Sequence, residues 1–207
     1  MNSKGYSDNL DKRLSEMNPG VPFVANDFSD IANVCTIRKL LNIRTKECTI
    51  SRIMPGIYMI PKINKLLNVE VPVNPEELAR AIARKHNWNI APSGTTALNM
   101  LGLSTQVPAV WKYISDGPYK TYEINGITIQ FKRTTNKNIS SMSPTSSLVV
   151  QALKTIGKTD ISSEILLKIA NRLTYDDAII LMNDTTRTTS WIRDSIRDLV
   201  NIKGEAK

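Results

Sequence analysis

Arg38, Lys39, Asn42 and Lys46 fall within nine residues of one another, at spacings that bring them to one side of a helix. Guanidinium and ammonium groups so arranged neutralise phosphates, and arginine, lysine, asparagine and threonine reach base edges in a major groove. The chemistry on offer is recognition of a nucleic acid. Groups suited to bond breaking are scattered. Ser93, in Pro92-Ser93-Gly94, stands on a strand-to-helix turn, but it lacks the G-x-S-x-G frame, and the only histidine is His86. His86 follows a helix C-terminus, where a partly positive imidazole suits the dipole. Gly94 and Gly102 lack the Lys-Ser/Thr ending of a phosphate loop. Asp116, Glu123 and Lys132 occur in an order that a metal-dependent nuclease could use. The simpler reading makes Asp116-Gly117 a turn and Glu123 an exposed strand residue. The chain is therefore expected not to be an enzyme, with no catalytic residue, no metal and no cofactor.

The basic residues need a scaffold, and Asn26 to Lys62 supplies the pattern of one. Asn26 reads as the N-cap of a short helix with Phe28, Ile31 and Ala32 on one face. Asn33-Val34-Cys35 reads as a turn, and Thr36 as the cap of a second helix. Its apolar face holds Ile37, Leu40 and Leu41, and its other face Arg38, Lys39, Asn42 and Lys46. Ile50 to Met54 and Ile57 to Ile60 alternate around Pro55-Gly56 as a hairpin. Two helices, the second basic, followed by a hairpin form the pattern of a winged helix-turn-helix, with the hairpin as the wing. A helix at Asp11 to Met17 supplies the third helix, behind a frayed stretch at residues 1–9.

The rest of the chain reads as a second domain. Residues 64–73 are an apolar, packed connector. Asn74 caps a helix with Pro75 at its first position, running to Lys85. Strands follow at Trp88 to Ala91, Val110 to Ser115, Tyr119 to Ile124 and Ile127 to Lys132, the last two joined by Asn125-Gly126 in a type I′ turn. Thr95 to Leu101 is a helix stopped by Gly102. Thr134 to Ser146 reads as a boundary loop. Helices follow at Ser147 to Ile156, at Ile161 to Arg172 (capped by Asp160), at Tyr175 to Met182 (capped by Thr174 with Asp177) and at Ser190 to Asn201. The expected fold class is α+β: a winged helix-turn-helix over 1–65, then 66–207, comprising a mixed α/β part with the hairpin over 66–139 and a helical part over 140–207.

The net charge is +8, and it is unevenly spread. Residues 1–65 carry ten basic and six acidic side chains, residues 66–139 eight and five, and residues 140–207 nine and eight. The excess sits where a nucleic acid is expected, although a membrane surface or acidic protein would also attract it. No apolar run is long enough to span a bilayer, and Met1 to Met17 lacks a signal-peptide pattern. Cys35 and Cys48 bracket the second helix, too far apart along it for a disulfide. A reduced, cytoplasmic setting is the expectation.

The phrases PSGTTALNMLGLSTQVP, YISDGPYK and NGITIQFKRT, preceded by PEELARAIARK and, before that, GIYMIPK, resemble a bacterial family related to the AbiE-type antitoxins. These belong to type IV toxin–antitoxin systems, linked to abortive infection and phage defence. The resemblance spans Phe23 to Thr134. It implies a DNA-binding transcriptional regulator that represses its own operon by binding double-stranded DNA at inverted repeats in the promoter. It also implies a second part that counters a nucleotidyltransferase-like toxin. By position, the groove-facing residues it implies are Thr36, Ile37, Arg38, Lys39, Asn42 and Lys46, and the phosphate and wing residues are Ser51, Arg52 and Lys62. The chain departs from the family at Cys48, where a small or flexible residue, often glycine, is usual, at Pro55, where a basic residue is common, and at Arg44, where an apolar residue is usual. Arg44 is then either a phosphate contact itself or the sign of a shorter second helix. A second reading makes the near-neutral C-terminal helices, Trp191 included, a module that binds its partner directly.

Overall fold

The first helix, α1 (Ser3–Glu16), starts well before Asp11. In the computed structural model, which describes residues 3–134 and 142–205, its early turns are held by Arg44, which donates hydrogen bonds to the Ser7 hydroxyl and the Asp11 carboxylate at 2.6 Å. Leu10 and Leu14 face the core. The fold is α+β and divides into two units, Met1–Trp88 and Asn89–Lys207.

In the first unit, β1 (Pro22–Val24) leads into a 3-10 turn at Ala25–Phe28. The expected α-helix capped by Asn26 does not form. The Asp27 carboxylate accepts the Val24 amide at 3.0 Å, which starts the turn from Val24, upstream of Asn26, and leaves Asn26 inside it. Phe28 is buried edge-on against Phe23, with ring centroids 5.6 Å apart. The next helix, α2 (Val34–Lys46), is capped by Asn33, whose side chain accepts the Thr36 amide at 2.9 Å. Thr36 is therefore the third helical residue and not the cap, because asparagine three residues upstream satisfies that orphan amide first. Two strands follow, β2 (Ser51–Met54) and β3 (Ile57–Met59), joined by Pro55-Gly56, with Gly56 at φ +79°. All pairings are antiparallel in the order β1-β3-β2. Helix, strand, turn, helix and hairpin thus come in winged-helix order around a core of Leu10, Phe23, Phe28, Ile37, Leu41, Ile50 and Tyr58.

The expected connector is instead a small hairpin, β4 (Ile63–Asn64) with β5 (Val69–Glu70). The Asn64 side chain accepts the amides of Leu66 and Leu67, and Asn68 takes φ +51°, so local asparagine chemistry closes the turn. Leu66 is 95% exposed as a result, and of the connector's apolar residues only Val73 is buried. The helix α3 (Pro75–His86), with Asn74 as its cap, buries Leu78, Ala79, Ala81, Ile82 and Ala83. It packs on β1, β3 and the 3-10 turn. Arg84 fixes it there, pairing with Asp27 at 3.0 Å and donating to the Pro22 carbonyl at 2.9 Å. The division therefore falls after Trp88 and not at residue 65: the first unit needs the apolar face of α3 to close its core.

The second unit holds a four-stranded sheet in the order β6-β7-β9-β8, from β6 (Ile90–Pro92), β7 (Val110–Ser115), β8 (Lys120–Ile124) and β9 (Ile127–Arg133). The β8–β9 hairpin turns at Asn125 and Gly126, both at positive φ, and β7 runs parallel to β9. The helices are α4 (Thr95–Met100), α5 (Pro144–Ile156), α6 (Ser163–Arg172), α7 (Tyr175–Asp184) and α8 (Ser190–Glu205). Residues 135–141 of the expected boundary loop lie outside the described residues. Its last part is already helix, since the Ser143 hydroxyl accepts the Ser146 amide and Pro144 takes the first helical position. Ser162, not Asp160, caps α6, and Asp160 ends a 3-10 turn. Because α5 packs on α4 and β6, the mixed and helical parts form one unit.

Candidate nucleic-acid interface

A helix of 13 residues, such as α2, is about 20 Å long, enough to lie in a major groove. One side of it is core: Ile37 and Leu41 are completely buried. The implied groove contact by Ile37 is therefore wrong, because its side chain fills the space beneath the helix and no base can reach it. The opposite side exposes Cys35, Arg38, Lys39, Asn42, Ile43 and Lys46. Thr36 is half-buried at the edge of this face. Asn42 is held in place, its side-chain oxygen accepting the Tyr58 hydroxyl at 3.3 Å. An asparagine so oriented is suited to reading an adenine edge.

Arg52 projects from β2 opposite Tyr58 of β3. With Arg38 and Asn42 it lines a cleft of about 340 Å³ whose other walls include Asn26, Gly56 and Lys85. The stem of Lys85 crosses the hairpin turn: its Cε lies 3.4 Å from where a Cβ on Gly56 would stand. Arg38, Asn42 and Arg52 thus converge, while Lys39 and Lys46 continue the same face along α2. Two expected wing residues stand apart. Ser51 is half-buried at the start of β2. Lys62 follows the far end of β3, away from the Pro55-Gly56 turn, with its stem against Gly20.

The charges of the first unit are sorted. Arg13 pairs with Asp30, Arg44 with Asp11 and Glu47, Arg80 with Glu76, and Arg84 with Asp27. Among the described residues no acidic side chain pairs with Arg38, Lys39, Lys46 or Arg52, so the cations of α2 and β2 face solvent uncompensated. Arg44 belongs to the first group and is no phosphate contact. Its side chain is 15% exposed, and its hydrogen bonds to the Asp11 carboxylate raise its pKa above the ordinary arginine value. The second helix is not shorter either: Arg44 lies within α2, and Cys48 just beyond it sits at φ +59°, the conformation that glycine favours.

The nuclease residues are not brought together. The Asp116 carboxylate accepts the backbone amide of Asn89 at 2.9 Å and its side-chain amide at 2.8 Å. Glu123 pairs across to Thr128, and Thr128 to Val110, six residues before Asp116 and about 20 Å away along the strands. His86 stacks on Trp88 with ring centroids 4.6 Å apart.

Asn26, Tyr58 and Lys85 escape the sequence reading of the interface. Asn26 carries a stronger apparent signal as a cap, and Tyr58 looks like one more apolar strand residue. Lys85 looks like an ordinary outward residue of a helix assigned to another domain. Only the packing of α3 on β1 and β3 brings it to the cleft.

Comparison with known proteins adds a family. A family model described as a family of unknown function, DUF6088, matches residues 9–179. A search of the curated proteins found no match. Among solved structures the chain is similar to the RV2827C protein from Mycobacterium tuberculosis, at 11% identity and a TM-score of 0.41, over 96% of this chain and 77% of that one. With most of its length matched by that family model, the chain belongs to DUF6088.

Proposed function

We propose that this protein binds duplex DNA by laying the exposed face of α2 in the major groove, as a regulator of its own promoter. The observation that supports this is the exposed run of Arg38, Lys39, Asn42 and Lys46 opposite a fully buried Ile37 and Leu41, with no acid paired to its cations among the described residues. The resemblance to AbiE-type antitoxins extends the proposal. The chain is the antitoxin of a type IV pair, acts in the cytoplasm without catalysis of its own, and counters a nucleotidyltransferase-like toxin. Among the described residues no helix is long and apolar enough to cross a membrane. A gel shift with the DNA upstream of its gene tests the DNA reading. Promoter DNA is retained over random competitor at physiological salt, and Asn42→Ala relaxes the preference while Lys39→Ala weakens binding to both. Equal affinity for promoter and random DNA counts against it.

A second reading has its own observation. In the second unit Leu167 of α6 and Ile179, Ile180 and Met182 of α7 are each about 45% exposed, apolar side chains of the kind a directly bound toxin would cover. Trp191, by contrast, packs against the core. Co-purification with the product of the neighbouring gene, lost on Ile179→Asp, supports direct neutralisation.

A further inference from the structure

We infer that Tyr58 is a positioning residue for base reading: from the core of the first unit it holds the Asn42 amide in the orientation that accepts an adenine and refuses a guanine. The inference rests on the DNA-binding reading and names the base that α2 reads. Tyr58 stands on the middle strand, β3, opposite Phe23 of β1 on one side and Arg52 of β2 on the other. Its ring stacks on Phe23 with centroids 6.2 Å apart, and the residue is only 2% exposed. The core therefore fixes where the hydroxyl emerges. It emerges at Asn42, an exposed residue of α2, and donates to the side-chain oxygen at 3.3 Å. An amide on an exposed helix face otherwise turns readily, and a half-turn about χ2 exchanges its two ends. Here a half-turn would take the acceptor away from a hydroxyl proton with little access to water and leave that hydrogen bond unmade. The carbonyl end thus stays toward Tyr58. That oxygen keeps a second lone pair, and Nδ2 keeps its protons for a ligand. One acceptor beside one donor matches the N6–H and N7 of adenine in the major groove. Guanine presents two acceptors there, N7 and O6, and one of them would meet the carbonyl oxygen. An amide fixed beforehand also gives up less freedom on binding.

The test uses the full chain as wild type, Tyr58→Phe, Asn42→Ala and the double variant. Each is titrated with promoter DNA, with random DNA, and with promoter duplexes in which every A·T pair of the footprinted segment is replaced in turn by G·C. Tyr58→Phe keeps the ring on Phe23 and removes only the hydroxyl. In the wild type one such replacement weakens binding about 5- to 150-fold, the worth of a bidentate base contact, and Asn42→Ala abolishes that penalty. Tyr58→Phe shrinks the same penalty about 2- to 10-fold, the worth of one neutral hydrogen bond, and leaves random-DNA affinity unchanged. The double variant matches Asn42→Ala, because the hydroxyl acts through that amide. An unchanged penalty in Tyr58→Phe overturns the inference. So does a loss shared equally by promoter and random DNA, which marks a structural role, or an effect of Tyr58→Phe that persists without Asn42. If no replacement gives a penalty that depends on Asn42 while promoter DNA is still preferred, the base assignment falls and the DNA reading stands. If the wild type binds promoter and random DNA alike, both fall.

Discussion

Replacing Arg44 with methionine keeps much of the side-chain volume and removes four hydrogen bonds: two to Asp11, one to Ser7 and one to Glu47. Fully buried charged hydrogen bonds contribute about 1.5–3 kcal/mol each, but Asp11 and Glu47 are 46% and 50% exposed, which brings each ion pair down to about 0.2–1 kcal/mol. Adding about 1 kcal/mol for the Ser7 bond gives a loss of about 2 kcal/mol for Arg44→Met. In a unit of this size that lowers Tm by about 10 °C. Trp88 is the only tryptophan of the first unit, so urea unfolding of the full chain in variants lacking Trp111 and Trp191 follows that unit alone. A cycle with Asp11→Ala should return a coupling of about 1 kcal/mol. A change below about 0.5 kcal/mol, or strict additivity with Asp11→Ala, would refute the claim that Arg44 ties α1 to α2 and leave it available to DNA.

Ile37→Ala should cost about 2–5 kcal/mol of stability, as a core truncation, while promoter affinity per folded molecule stays at the wild-type value; urea titration and active-fraction-corrected gel shifts check both. Cys48→Gly should raise stability by about 0.5 kcal/mol, since glycine relieves the left-handed strain at φ +59° and gives back part of the gain as unfolded-state entropy; the same titration measures it. The Thr174 hydroxyl, and then its amide, hold the Asp177 carboxyl below the ordinary carboxylate range. That contribution is present above the unfolded pKa and is lost as pH falls through the lowered folded value. Asp177→Asn should therefore cost about 0.5 kcal/mol near neutrality and progressively less as pH falls below the ordinary carboxylate range, as followed by unfolding at each pH.

What the sequence made legible depended on range. Asn125-Gly126 between alternating runs, and Thr174 with Asp177, are self-contained signals, and both features form where they are read. Asn33 and Thr36 show the limit of such signals. Both are competent caps three residues apart, and the choice fell to Asn33 because its oxygen meets the Thr36 amide. The Asn64 and Asn68 pair is legible turn chemistry, masked by a run of apolar residues that the structure leaves largely exposed. The boundary after Trp88 was not legible, because it depends on α3 returning to β1 and β3 through the Arg84–Asp27 pair, 57 residues apart. The candidate interface divides in the same way. Arg38, Lys39, Asn42 and Lys46 follow from helical spacing, and Ile37 follows from it too, on the buried side. Lys85 and Tyr58 depend on tertiary packing.

Cys35 lies on the exposed face of α2 and offers the most direct test of whether that face meets DNA. With Cys48 replaced by glycine, a DNA-cleaving metal chelate attached to Cys35 should cut promoter DNA at a discrete site flanking one major groove. Promoter DNA that is bound but left uncut from Cys35, or cut evenly along its length, would contradict the placement of α2 in the groove.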